Sequence, residues 1–136
     1  MVESRLTMKK TIQVVGAVIY KDNKILCAKR PKDKALANYW EFPGGKIEPG
    51  ETEREALERE IQEELKCDIQ INDKLMTTVY EYDFAIISLT TFYCELIEGE
   101  PVLTEHQAIR WLEPENLEQL KWAPADKPAV EKIRDK

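Results

Sequence analysis

Glu60, Glu63 and Glu64 stand at i, i+3 and i+4 within the run Arg59-Glu60-Ile61-Gln62-Glu63-Glu64. At about 3.6 residues per helical turn, this spacing gathers the carboxylates within roughly 100° on one face of an α-helix. Like charges one turn apart repel by about 0.2–0.5 kcal/mol per pair, and the same periodicity directs Arg59 and Lys66 elsewhere. A hard divalent cation turns that repulsion into attraction, and clustered carboxylate oxygens suit Mg²⁺, with Mn²⁺ able to substitute. The plainer reading of a Glu-rich helix is a solvated surface. Ala56 falls on the carboxylate face, where a small side chain leaves room for something above it.

The helix that must carry these groups is the best defined element of the chain. Thr52 followed by Glu55 fits a capping box, and no Gly or Pro interrupts Thr52 to Lys66. Leu57, Ile61 and Leu65 recur at four-residue spacing as a narrow apolar stripe bordering the carboxylates. Glu55 and Arg59 are one turn apart on another face, where a weak ion pair is expected. Upstream, Gly44-Gly45 and Pro49-Gly50 mark a loop that doubles back before the helix. A backbone carbonyl there, at Gly44, is a candidate further metal ligand.

Around the helix, β-rich segments alternate with turn signals. Thr11 to Tyr20 reads as a largely buried strand, Lys21 to Lys24 as a turn and Ile25 to Lys29 as the returning strand. A polar loop from Arg30 to Asn38 precedes a short extended Trp40-Glu41-Phe42, stopped by Pro43-Gly44-Gly45. Two more β-rich segments, Ile69 to Tyr82 and Phe84 to Ile97, lead to a loop at Gly99-Glu100-Pro101 and an extended piece from Ile109 to Leu112. A last helix is expected from Asp126, with Pro128 in its first turn. This order predicts a single α/β (α+β) domain spanning residues 1–136, a mixed β-sheet with helices on both faces.

Bulk properties narrow the partners. A net charge of −6 without a basic block or basic helix face disfavours a long nucleic acid. A small polyanion remains possible if something supplies local positive charge. The longest apolar stretch, near Phe84 to Leu89, is too short for a bilayer. The N-terminus from Met1 to Lys10 is charged and lacks the apolar core of a signal peptide, so a cytoplasmic protein, monomer or homodimer, is expected. Cys27, Cys67 and Cys94 show no metal-type spacing and read as small buried hydrophobes.

Gly45, five residues, Glu51, seven residues and then Arg59 to Glu64 resemble the Nudix box, the signature of Nudix hydrolases. The family pattern has Gly near the helix end, where this chain has Lys66. That departure concerns how the helix terminates and leaves the carboxylates untouched. The likeness is closest to the MutT-like branch, whose lead-in to the box is similar to Ala37 through Glu48. Gly99-Glu100-Pro101 followed by Glu105 resembles the segment that brings a further metal-binding Glu from a distant loop. Trp122 through Pro128 resembles the turn that touches the nucleobase; Asp126 stands where the 8-oxo-dGTP type has Asn. Glu105-His106-Gln107 with Pro124-Ala125-Asp126 looks more like bacterial CTP or 5-methyl-dCTP pyrophosphohydrolases.

The resemblance implies a Nudix fold and Mg²⁺-dependent hydrolysis of a nucleoside triphosphate at the β-phosphorus, giving a monophosphate and diphosphate. It implies Glu60, Glu63, Glu64 and Glu105 as catalytic and metal-binding residues, with Gly44 also binding metal. Substrate contacts fall to Arg30, Glu41, Phe42, Pro43, Gly44 and Asp126, and Arg59 fixes the preceding loop by pairing with Glu51. An ADP-ribose or dinucleotide pyrophosphatase is the alternative enzyme, and a non-catalytic nucleotide-binding module the alternative class. His106, the sole histidine, reads as a local hydrogen-bonding residue or a general base. Trp40, Trp111 and Trp122 read as core or as base-stacking surfaces, and Tyr80-Glu81-Tyr82 as strand filling.

Overall fold

A computed structural model describes residues 9–135. The stretch read for a targeting signal, Met1 to Met8, therefore lies outside the described residues. Among the described residues seven strands and two α-helices occur, in the expected order apart from β4: β1 (Thr11–Lys21), β2 (Lys24–Lys29), β3 (Trp40–Glu41), β4 (Gly44–Lys46), α1 (Glu53–Leu65), β5 (Asp68–Glu81), β6 (Ile86–Glu98), β7 (Ala108–Leu112) and α2 (Lys127–Arg134). Two 3₁₀ turns, Pro114–Gln119 and Pro124–Asp126, precede α2. The sequence reading had no element for the first.

The sheet runs β3-β2-β1-β6-β5, with β4 added on β1 and β7 on β2. β1 is its axis: parallel to β6 from Thr11 to Tyr20, antiparallel to β4 and antiparallel to the start of β2. The β1–β2 turn places Asp22 and Asn23 at φ 52° and 67°, the two left-handed positions of a tight hairpin, which Asp and Asn tolerate better than other residues with side chains. Gly44 and Gly45, expected only to stop a strand, form one, pairing with Gly16 and Val15. Long-range pairing with β1 overrides the local preference of glycine for turns.

Alternation along β1 divides the interior into two cores. Val15, Ala17 and Ile19 face α1, whose Ala56, Leu57, Ile61 and Leu65 are fully buried. Val18 faces the other way, with Ile25 and Cys27 of β2 and Ala129, Val130 and Ile133 of α2. Removing large aliphatic side chains of this kind from water contributes about 1.5–3 kcal/mol each. The helices thus cover opposite faces of the sheet, as expected. Ala56, expected on the carboxylate face, is fully buried in the core. All three cysteines are buried and free. Among the described residues no helix is long and apolar enough to cross a membrane.

Candidate functional site

Local rules fix α1. The Thr52 hydroxyl accepts from the Glu55 N–H at 3.1 Å, and the Glu55 carboxylate accepts from the Thr52 N–H at 2.9 Å, closing the capping box. At the other end Lys66 takes the left-handed conformation, φ 56° and ψ 39°, and donates its N–H to the Gln62 carbonyl. This is the conformation a C-terminal glycine ordinarily supplies. The helix ends as the box pattern requires, with lysine carrying the strain.

Before the helix, Gly50 (φ 87°) turns the chain back and Glu51 accepts the Glu48 N–H at 2.9 Å. Arg59 grips this loop. Its Nε and Nη2 donate to the two oxygens of Glu51 at 2.6 and 2.8 Å, and Nη2 also donates to the Lys46 carbonyl at 3.0 Å. The expected Arg59–Glu51 pair is present. Those bonds and the Glu48 N–H hold the Glu51 carboxyl down to about 2. The expectation that Arg59 projects away from the carboxylates is corrected. Its Nη1 donates to Glu60 at 3.0 Å and to Glu63 at 3.3 Å, because a long guanidinium bridges neighbouring faces. The expected Glu55–Arg59 contact is replaced by these bonds and by Glu55's part in the cap.

The end of α1 gathers acid. The Glu60 carboxylate lies over Gly45, where a β-carbon would come to 2.4 Å of its Cδ. Glu64 is largely buried, and its Oε1 has no hydrogen-bond partner. Burial, and then the charges of Glu60, Glu41 and Glu105, push its carboxyl well above the ordinary range. Glu63 sits at the rim with its side chain 58% exposed, and Glu105 is exposed in the loop before β7. Among the described residues no three acidic, thiol or imidazole groups stand close enough together to hold a metal ion as they are placed. A buried, unpaired carboxylate oxygen amid all-oxygen donors nevertheless fits a hard divalent cation. Gly44, the other expected ligand, lies in β4 beside this cluster, pressed so close to β1 that a β-carbon would come to 1.9 Å of the Val15 oxygen.

The remaining expected residues lie across β3. Arg30 donates to Glu41 Oε1 at 2.7 Å and to the Ala35 carbonyl at 2.8 Å. His106, in the loop before β7, is buried, and its Nε2 lies 2.9 Å from Glu41 Oε2. Asp126 is buried and accepts the Phe42 N–H at 3.1 Å. Burial and then Glu41 raise its carboxyl above the ordinary range, against the opposing pull of the Phe42 bond and Arg30. Pro43 accepts from the Ala17 N–H at 2.8 Å, fixing the chain between Phe42 and Gly44. Phe42 packs against Trp122 with ring centroids 4.7 Å apart. Trp40 and Trp122 are both core, and Trp111 packs partly against it.

Two links escaped the sequence reading. Glu41 joins Arg30 to His106, and the Tyr82 hydroxyl accepts the Ala125 N–H at 2.9 Å. The second partner lies 43 positions along the chain, so no local pattern signals it.

The NUDIX domain family matches residues 14–132. The chain is 41% identical over 122 residues to the CTP pyrophosphohydrolase of Escherichia coli (strain K12), covering 90% of each. It is 36% identical over 127 residues to the 8-oxo-dGTP diphosphatase of the same organism, covering 93% of this chain and 98% of that one. A solved structure titled DNA mismatch repair protein MutT (family Nudix hydrolase), from methicillin-resistant Staphylococcus aureus 252, is 57% identical with a TM-score of 0.78, covering 94% and 98% of the two chains.

Proposed function

The chain belongs to the NUDIX domain family, and from that premise we propose that it is a nucleoside triphosphate pyrophosphohydrolase that clears modified nucleotides, 8-oxo-dGTP or CTP and 5-methyl-dCTP, from the pool. Water adds at the β-phosphorus and the bond from that phosphorus to the oxygen bridging it to the α-phosphorus breaks, releasing a nucleoside monophosphate and diphosphate. The observation that carries this reading is the acidic end of α1, where the half-buried Glu64 has a buried, unpartnered Oε1 beside Glu60, Glu41 and Glu105. Relatives named for CTP and for 8-oxo-dGTP hydrolysis, at 41% and 36% identity, support the triphosphate class.

Nudix hydrolases generally use divalent metal ions, and the residues assigned to hold Mg²⁺ or Mn²⁺ here are Glu60, Glu63, Glu64, Glu105 and the Gly44 carbonyl. Such a cation supplies the positive charge that an acidic protein lacks against a triphosphate, and it acidifies bound water. Glu60 takes the proton from the attacking water. Arg59 aims Glu60 by donating to its Oε2 at 3.0 Å. Glu64, whose neighbours repel its charge, gains most from a cation and serves as a ligand.

Base recognition falls to the far side of β3. Asp126, whose carboxyl is raised by burial and by Glu41, offers a base edge an acceptor, or an O–H donor when protonated, and Phe42 presents the backbone beside it. Arg30, held by Glu41 and Ala35, faces substrate as the cation on that side. The short Arg30–Asn38 loop favours a triphosphate with one base over ADP-ribose or a dinucleotide.

Diphosphate release from CTP, dCTP, 5-methyl-dCTP, dGTP and 8-oxo-dGTP with Mg²⁺, beside nucleotide products released from ADP-ribose and a dinucleoside polyphosphate, tests the proposal. Turnover of at least one triphosphate well above the latter two is expected. Turnover of ADP-ribose alone would replace the proposal with the alternative enzyme, and binding without turnover of any compound would leave a nucleotide-binding module.

A further inference from the structure

Tyr82 follows directly on β5 and is 9% exposed. Its hydroxyl oxygen accepts the Ala125 N–H at 2.9 Å, one residue before Asp126. The turn Pro124–Asp126 begins with a proline that has no N–H to give, so Tyr82 takes the first donor the turn possesses. Asp126 itself donates to the Ala123 carbonyl at 2.9 Å and accepts from Phe42 at 3.1 Å. The acid is therefore held through Ala125 from one side and through Phe42 from the other.

The ring of Tyr82 does a second job. With Leu89 and Ala125 it forms a small core separate from the two main ones, and Leu36, Val14 and Ile87 pack against it. Leu36 belongs to the Arg30–Asn38 loop and holds a left-handed φ of 59°, a conformation an aliphatic residue keeps only where packing enforces it. Arg30 is tied to the same loop through the Ala35 carbonyl. The Phe84 ring stacks on Tyr82 at 5.1 Å and Tyr80 leans against it at 4.7 Å, fixing the ring from outside.

We propose that Tyr82 is a positioning residue for base selection: through Ala125 it fixes Asp126, and through its packing against Leu36 it sets the loop carrying Arg30. The inference rests on the assignment of Asp126 as a base contact. Tyr82→Phe keeps the ring and removes the oxygen, leaving the buried Ala125 N–H without its acceptor and Asp126 free to shift.

The test is a cycle of wild type, Tyr82→Phe, Asp126→Asn and the double variant, with kcat and KM measured for the best triphosphate and for one carrying a disfavoured base. Tyr82→Phe is expected to narrow the selectivity ratio by about tenfold, with the change falling on KM more than on kcat. In the Asp126→Asn background it should narrow the ratio no further, since both act through one group. A ratio is internal to each sample, so partial unfolding lowers both substrates equally and leaves it in place. An unchanged ratio in Tyr82→Phe overturns the inference, as does the same narrowing in the Asp126→Asn background. A wild-type enzyme that cleaves no triphosphate, or cleaves all of them equally, overturns the proposed function or its base assignment instead.

Discussion

The carboxylate of Glu60 rests directly on Gly45, so that a β-carbon at residue 45 would come to 2.6 Å of both its oxygens. Carboxylate and backbone are in contact, with no space for a side chain between them.

The neighbouring glycines should therefore fail differently when replaced by alanine. At residue 45 the obstacle is the tip of a flexible side chain, which can swing aside; at residue 44 it is the β1 backbone at 1.9 Å. Gly45→Ala should remain folded and lose about 10–100-fold in kcat as Glu60 is displaced. Gly44→Ala should melt many degrees lower. Thermal melts beside single-turnover rates separate the two, and equal melting temperatures would contradict the argument.

Glu64 should set function against stability. A carboxyl whose folded value is raised binds protons more tightly in the native state than in the unfolded one. Stability is then lost as pH rises above the ordinary value of 4.5. Without metal, Glu64→Gln should stabilise the protein at neutral pH by about 1–2 kcal/mol, since the neutral amide also donates to Glu60. Turnover should nearly vanish, and Mg²⁺ should raise the melting temperature of wild type far more than that of the variant. Wild-type-like hydrolysis in the variant would sink the metal assignment. Chelation of wild type should likewise stop turnover, with Mg²⁺ or Mn²⁺ restoring it.

Arg59 and Glu51 predict an acid limit. The folded value of Glu51 is depressed to about 2, so its stabilising contribution is complete above about pH 4.5 and disappears as pH falls toward 2. Wild type and Glu51→Gln should differ in melting temperature at pH 6 and converge on acidification. Arg59→Lys keeps the charge but cannot make the two-pronged contact, and should lower kcat by about tenfold through Glu60. A gap between wild type and Glu51→Gln that persists at pH 2 would refute the pair's role.

Lys66 carries a removable cost. An L-residue in the left-handed region is strained by about 1 kcal/mol relative to glycine. Lys66→Gly should raise the melting temperature by a few degrees at unchanged kcat, a result read from calorimetry and steady-state rates. A lower melting temperature would mean that the lysine side chain contributes more than its backbone loses.

What could be read from the chain followed the range of the forces involved. The α1 boundaries rest on Thr52, Glu55 and the Leu57/Ile61/Leu65 stripe, all interacting within a few turns, and they fell where expected. The turn at Asp22-Asn23 was equally local. Gly44-Gly45 looked like a stop because its strand character comes wholly from β1, far upstream. Arg59 was misplaced because helical periodicity positions a Cβ, whereas a guanidinium reaches several ångströms beyond it. His106 read as a local hydrogen-bonding residue or a base, yet its partner is Glu41, 65 positions away on another strand. The Tyr82–Ala125 bond depends on two segments meeting only in the folded chain.

The two interiors on either side of β1 give the molecule a division of labour. On the proposed function, the phosphate-cleaving acids of α1 rest on one interior, while Phe42, Trp122 and the helix that follows Asp126 rest on the other. Mutations that reshape the second layer can retune which nucleotide is accepted without moving the hydrolytic apparatus. A lineage built this way can diversify its diet while its reaction stays constant.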